Sequence, residues 1–311
     1  MNSLALCIPA YNAAIYLPRL LQSAQKQVIP FNEILVYNDC STDDTAAVAE
    51  SYGATVITGN MNMGCSYGKN KLAEVTTSDW IHFHDADDEL LPNFTTLAHN
   101  WLKTPDCPDV VLFDYEWRDN NTGQLLAVVH FDKNELEKDA TAYAIQNQIN
   151  PFCGLYKKPR YLEVGGYDID PLILYNEDKA FHIKLAKNGL TFSAESEVSI
   201  INYRIENSMS AANIKKCVIA QYHVLEQTVA THGQKYTAEL AEELFKNAAV
   251  LAKEDAWDYV NKALRLARNL GHKVPSNAGK AFRLLISINP FMAMWLREKL
   301  IRLFKPHLRN A

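Results

Sequence analysis

Short apolar runs alternate with amphipathic stretches through the first 90 residues. The run at 3–8 reads as a buried parallel strand, which Pro9 and the residues after it are expected to break. A helix follows, with Ile15, Leu20, Leu21, Ala24 and Val28 on one stripe. A second strand at 33–37 runs into Asn38, Asp39, Cys40, Ser41, Thr42, Asp43 and Asp44. Ser41 with Asp44 three residues on predicts a capping box for the next helix, and Gly53 predicts its stop. A strand at 54–58, a loop at 59–64, a helix through Lys69 and a strand from Trp80 into Asp85 complete the series. This β-α-β-α-β-α-β order predicts an α/β fold with a mostly parallel, doubly wound sheet. Ligands of such sheets collect beyond the carboxyl ends of the strands. Three strand ends here carry polar groups: Asn12, then Asn38 and Asp39, then Asp85 and Asp87.

Further along, the pattern predicts a helix at 93–103, a hairpin around Asn120 to Gly123 and a helical stretch at 134–148. A short strand at 153–157, a helix stopped by Gly165 and Gly166, a helix opening at Asn176, Glu177 and Asp178, and a strand at 191–203 follow. From about Ile214 everything reads as helix, with Pro290 splitting the last stretch in two. The expected division is an α/β region at 1–210 and an α-helical C-terminal region at 211–311.

The densest chemistry lies where the fourth apolar run ends in Asp85, Ala86, Asp87, Asp88 and Glu89. In an extended backbone Asp85 and Asp87 would face the same way. Two carboxylates on one side repel unless a cation sits between them. Hard divalent ions such as Mg²⁺ are held by one or two carboxylates plus substrate phosphates. The pattern therefore points to a metal and diphosphate site. The plain alternative is a polar turn with a helix cap near Asp88.

Charge sharpens the picture. The net charge is −5, but 279–311 holds seven Lys or Arg against one acid, or +6, which leaves −11 for the rest. An acidic body argues against a nucleic-acid surface. The six cysteines form no Cys-x-x-Cys pair and read as reduced thiols of a cytoplasmic protein. No apolar run approaches the roughly 18 residues of a membrane span, and no signal core is visible at the N-terminus.

Six pieces in order resemble the family 2 glycosyltransferases of the GT-A fold. They are Ile8 to Asn12, Asn38 to Asp43, Asn62 to Gly64 with Lys69 and Asn70, Asp85 to Asp88, Gly165 to Asp168, and Glu177 with Asp178. The likeness covers about residues 3–210. It implies a Rossmann-like catalytic domain and an inverting, metal-dependent transfer from a nucleotide-diphosphate sugar. The acceptor would be a hydroxyl of a glycan or lipid-linked molecule, as in cell-surface polysaccharide synthesis. By that resemblance Pro9, Tyr11, Asn12 and Asp39 line the nucleotide pocket, with Asp85 near the ribose and the metal. Asp87 coordinates Mn²⁺ or Mg²⁺, and Asp178 is the general base, with Glu177 and Tyr175 on the acceptor side.

Some residues depart from that family's pattern. Asn38 stands where many relatives carry an acid, and Cys40 where they carry glycine. Relatives often place a histidine after the Tyr-Arg pair that is Tyr203-Arg204 here; the stretch is one residue short and offers Glu206 as an oxygen ligand instead. These departures keep open a catalytically impaired nucleotide-sugar-binding or scaffold protein on the same fold. A metal-dependent phosphohydrolase is a more distant reading.

Other residues carry paired readings. His82 and His84 are transition-metal ligands or strand packing. Lys69 contacts phosphate or is an exposed helix lysine. Tyr115, Trp117 and Tyr175 stack on an acceptor sugar or pack in strands and hairpins. The C-terminal helices pack on the catalytic domain or on a second copy in a homo-oligomer; alternatively their basic residues lie on the anionic inner surface of the membrane.

Overall fold

The computed structural model describes residues 2–205, 209–271 and 279–305. Glu206, the expected substitute ligand, lies outside the described residues. The strands are β1 (Leu4–Ala10), β2 (Glu33–Asn38), β3 (Thr55–Thr58), β4 (Trp80–Phe83), β5 (Glu89–Leu90), β6 (Val110–Asp119), β7 (Leu125–Val129), β8 (Gly154–Lys157) and β9 (Phe192–Arg204). The helices that flank them are α1 (Leu17–Gln25), α2 (Thr45–Ser51), α3 (Cys65–Val75), α4 (Phe94–Leu102), α5 (Lys133–Lys138), α6 (Ala140–Gln146), α7 (Lys158–Glu163) and α8 (Glu177–Lys187). Then come α9 (Met209–Ala212), α10 (Ile214–His232), α11 (Thr237–Lys253), α12 (Trp257–Asn269), α13 (Lys280–Ile288) and α14 (Pro290–Phe304).

The sheet runs β3-β2-β1-β4-β8-β6-β9-β5, with β7 paired to β6. The β3-β2-β1-β4 half is parallel throughout, as the strand–helix alternation requires. β8 joins it antiparallel to β4 and β6, and β9 returns parallel to β6. Residues 4–10 of β1 are all buried, which is what a strand covered on both faces needs.

The chain forms two compact units. One comprises Met1–Ala144, Gln148–Ile169 and Ala180–Glu206; the other comprises Ile145–Asn147, Asp170–Lys179 and Asn207–Ala311. The sheet belongs to the first. The second is helical and takes two short pieces from earlier in the chain.

Four local expectations fail. Pro9 does not break β1, which continues to Ala10. Cys7 O accepts from His84 N, and Asp39 N donates to Ala10 O, so Pro9's missing N–H faces the β4 side. Pairing with β4 has already ended there at Cys7, and no ladder bond is lost. Ile15 and Val28 lie outside α1 and are exposed. Ser41 and Asp44 form no capping box: α2 starts at Thr45, and Asp44 makes no side-chain cap bond. Asp85 to Asp88 is a turn rather than extended chain, with Asp88 N donating to Asp85 O at 3.3 Å.

Candidate active site

The turn after β4 puts three carboxylates close together in the first unit. Burial, with the charge of Asp85 beside it, pushes the Asp87 carboxyl up to about 6. Asp88 is fully buried, and burial together with Asp87 and Asp85 raises it well above the usual carboxylate range. Asp88 is no helix cap, since α4 begins at Phe94 behind Asn93. Its oxygens accept instead from Asn202 Nδ2 at 2.7 Å and Tyr203 N at 2.8 Å, tying the turn to β9.

Arg19 reaches this turn from the first coil of α1. Its Nη2 donates to the Asp87 carbonyl, its Nη1 to Asn120 Oδ1 at 3.1 Å, and its guanidinium lies 3.7 Å from the Tyr203 ring centre. Its charge works against the rise at Asp87. Tyr203 in turn donates its hydroxyl to Glu89 at 2.8 Å. Sequence reading misses both Arg19 and Asp88 as organising residues. Nothing around Arg19 marks it, because its partners lie 68 and 101 residues away. Asp88 carried a signal, an acid directly after the Asp85–Asp87 pair.

The nucleotide-side candidates are bound mainly to one another. Asn12 has a left-handed backbone, φ 49°. Its Oδ1 accepts from Thr42 N at 2.8 Å, and its own N–H donates to Ser41 Oγ. Asp39 is buried and accepts from Met63 N at 2.8 Å and Gly64 N at 2.7 Å. That fastens the 59–64 loop to the end of β2. Each carboxylate oxygen has a second lone pair, so this does not use up Asp39's capacity to accept. Pro9 is buried in β1, whereas Tyr11 is half exposed just beyond its end.

Lys69 is not an exposed helix lysine. It is buried, with Nζ 5.1 Å from the Tyr167 ring centre. Beside it, Asn70 accepts from Tyr167 N at 2.8 Å and donates to Tyr167 O at 3.0 Å. A Cβ on Gly166, φ 57°, would come within 2.3 Å of Asn70 Oδ1, so the second glycine of the pair is a packing requirement.

His82 and His84 are strand packing. His82 Nδ1 bonds Gly154 O at 2.9 Å, and His82 Nε2 meets His84 Nδ1 at 3.0 Å. Burial depresses both imidazoles, His82 to about 4. Tyr115 is core, set edge-on to Phe152.

Within the second unit, Glu177 and Asp178 form the first turn of α8, Glu177 buried and Asp178 half-buried. Lys179 is buried and donates to Asn147 O at 3.3 Å. Desolvation lowers it to about 8, although Glu243 lies 4.0 Å away. Tyr175 accepts from Lys216 Nζ at 3.2 Å.

Among the described residues no group of three or more His, Cys, Asp or Glu side chains is arranged to hold a metal ion. The acidic turn nonetheless suits a hard cation. Its donors are all oxygen, and Asp87, raised first by burial and then by the charge of Asp85, is a carboxyl whose ionised form a cation would favour. Two carboxylates are also the usual protein share of a site completed by substrate phosphates.

A half-parallel α/β sheet with an acidic turn past β4 and a loop cluster at the ends of β1 and β2 is a sheet of the GT-A type. The chain belongs to glycosyl transferase family 2, whose model matches residues 5–160, and it is a glycosyltransferase. Escherichia coli K12 YibD, itself called a glycosyltransferase, is 31% identical over 137 residues, which span 42% of this chain and 39% of that protein. A Haemophilus influenzae glycosyltransferase is 22% identical over 95% of this chain and 99% of its own. Bacillus subtilis TuaG, named for teichuronic acid biosynthesis, is 23% identical over 74% of this chain and 89% of its own. In fold, the chain is similar to Staphylococcus aureus TarS 1–349 solved with UDP-GlcNAc, with TM-score 0.75, 18% identity, and 96% and 91% of the two chains covered. It is also similar to the Pyrobaculum calidifontis mannosyltransferase PcManGT solved with GDP-Man and Mn²⁺, with TM-score 0.61, 16% identity, and 97% and 87% covered.

Proposed function

We propose that this glycosyltransferase is inverting and metal-dependent, and that it moves a sugar from a nucleoside-diphosphate donor to a hydroxyl of a glycan or lipid-linked acceptor. Residues 1–210 would be its catalytic region. The observation that carries the reading is the acidic turn. Asp87 and Asp85 crowd charge at the end of β4, where open α/β sheets bind ligands.

Asp85 and Asp87 would hold Mn²⁺ or Mg²⁺, and the bound ion would offset charge building on the departing diphosphate. Arg19 and Asp88 keep the turn in place from either side. Pro9, Tyr11, Asn12 and Asp39 would form the nucleotide end, with Lys69 on the phosphate side. Asp178 would take the proton of the acceptor hydroxyl while its oxygen attacks the anomeric carbon and the bond to diphosphate breaks. Glu177 and Tyr175 would border the acceptor. TarS solved with UDP-GlcNAc and PcManGT solved with GDP-Man make UDP and GDP sugars the first donors to try. The TuaG likeness favours a surface polysaccharide as the pathway.

The test is donor turnover against Mn²⁺ and Mg²⁺, with a chelator control. Turnover that needs the ion and disappears in Asp87→Ala supports the reading. Full turnover in chelator, or in Asp87→Ala, defeats metal dependence. Nucleotide binding with no turnover of any donor would favour the scaffold reading.

A further inference from the structure

The last two helices carry apolar side chains that are exposed among the described residues. On α13, Leu284, Leu285 and Ile288 are exposed, Ile288 at 70%. On α14, Met292, Leu296 and Leu300 follow at i, i+4 and i+8 and so form one row, with Leu303, 72% exposed, beside them. The opposite side of α14 is anchored. Met294 is buried, and Arg302 donates to both oxygens of Asp255 and to Glu298. The free face is therefore a fixed surface, with the helix held from behind.

The charge around that face has one sign. Lys280, Arg283, Arg297 and Lys299 lie on these two helices, and Lys305 follows α14. At 3.6 residues per turn, Arg297 and Lys299 flank the Met292–Leu300 row on its two sides. The only acid on either helix, Glu298, is buried and paired with Arg302. Lys299 Nζ sits 5.6 Å from the ring centre of Trp295. An apolar strip bordered by lysine and arginine matches a surface that is apolar below and anionic above. A second copy of the same face would set like charges against each other. Among the described residues no helix is long and apolar enough to cross a membrane, so the fit is to its surface.

We infer that α13 and α14 form a docking face for an anionic lipid bilayer. The inference rests on this surface alone, independently of the reaction.

The test floats the purified full chain with vesicles of phosphatidylcholine alone, or with about one third phosphatidylglycerol. The chain is expected to float with the anionic vesicles and to lose at least about tenfold in partitioning when salt rises from about 0.05 to about 0.5 M. Leu300→Glu with Leu303→Glu should abolish flotation. So should Leu284→Glu with Ile288→Glu, an independent pair on the other helix. Arg297→Glu with Lys299→Glu should weaken it at least about tenfold, since each basic residue at such a surface is worth about fivefold. These side chains are exposed, so the melting point of each variant should stay at that of the parent. Absence of flotation, or equal flotation with neutral vesicles, overturns the inference. So does a dimer in solution that Leu300→Glu with Leu303→Glu splits, because a second copy would then be the occupant.

Discussion

The Asp88 carboxylate accepts from the backbone N–H of Tyr203 at 2.8 Å, so the acidic turn and β9 are one piece of structure. The second oxygen takes Asn202 Nδ2 at 2.7 Å. Removing the carboxylate would leave two donors facing a buried gap. Each orphaned donor costs about 1–3 kcal/mol. Asp88→Ala should therefore lose at least about 2 kcal/mol in chemical denaturation, and the turn should lose its hold on β9. Asp88→Asn, which keeps one acceptor for Tyr203 N, should lose less. Equal stability of Asp88→Ala and the parent would show that these bonds do not hold the turn.

Much of the fold is readable from local period. The apolar runs and amphipathic stretches that give β1 to β4 and α1 to α3 depend on neighbours a few residues apart, and so does the stop at Gly53, φ 78°. The site is less readable, because its residues find each other across long separations. Thr42 meets Asn12 at 30 residues, Gly64 meets Asp39 at 25, Tyr167 meets Asn70 at 97, and Tyr203 meets Asp88 at 115. The six sequence pieces that mark the family thus mark largely one another's partners, and spacing along the chain does not reveal that. Arg19 was invisible for the same reason. The capping box at Ser41 misled because Ser41 is used by Asn12 N instead. Ile15 and Val28 misled because a stripe does not show where a helix ends, and α1 covers only Leu17–Gln25.

Cys40 offers a test of backbone strain. It adopts a left-handed conformation, φ 60°. For a residue with a Cβ that conformation costs about 1–2 kcal/mol. Glycine removes the strain but gives back roughly 0.5–1 kcal/mol through a freer unfolded chain. Cys40→Gly should thus be neutral or stabilising by up to about 1.5 kcal/mol. Cys40→Val should be destabilising by more than that, since branching at Cβ worsens the clash. Denaturant midpoints of both variants check the order. Cys40→Val as stable as Cys40→Gly would remove strain from the account.

Acid should weaken the His82 and His84 packing of the first unit, against the opposite pull of Asp87 and Asp88, whose raised carboxyls favour the folded state as pH falls. His82 is fully buried and neutral, with an ordinary value of 6.5 lowered to about 4, and His84 is lowered in the same direction. Between those values the unfolded chain binds more protons than the folded one, so stability rises with pH. The contribution is complete above about 6.5 and is lost as pH falls toward 4. For His82 alone it is of order 3 kcal/mol. The bond between the rings needs one of the two facing nitrogens unprotonated and is lost once both imidazoles are charged, whereas the bond to Gly154 O survives protonation. Stability measured at steps from pH 7 to pH 4 should fall steeply in the parent. His82→Asn with His84→Asn should start lower but fall less. Parallel slopes would assign the acid sensitivity to other groups.

Asp178 is the residue on which the chemical reading can fail most cleanly. It stands in the first turn of α8, where the helix dipole favours its ionised form. The dipole makes it a weaker proton acceptor and equally qualifies it as a mere helix-starting acid. Asn at this position keeps the size and the acceptor oxygen for the helix start but cannot take a proton. A base role predicts that Asp178→Asn lowers kcat for transfer about 10²–10⁴-fold. Donor KM and the melting temperature should hardly move, because the carboxylate acts on the acceptor. A helix-starting role predicts the reverse: a melting point lowered in Asp178→Ala, restored in Asp178→Asn, and a kcat that follows the folded fraction. Steady-state kinetics with a fixed acceptor, alongside thermal unfolding of both variants, separates the two. Wild-type kcat in Asp178→Asn would end its assignment as the base.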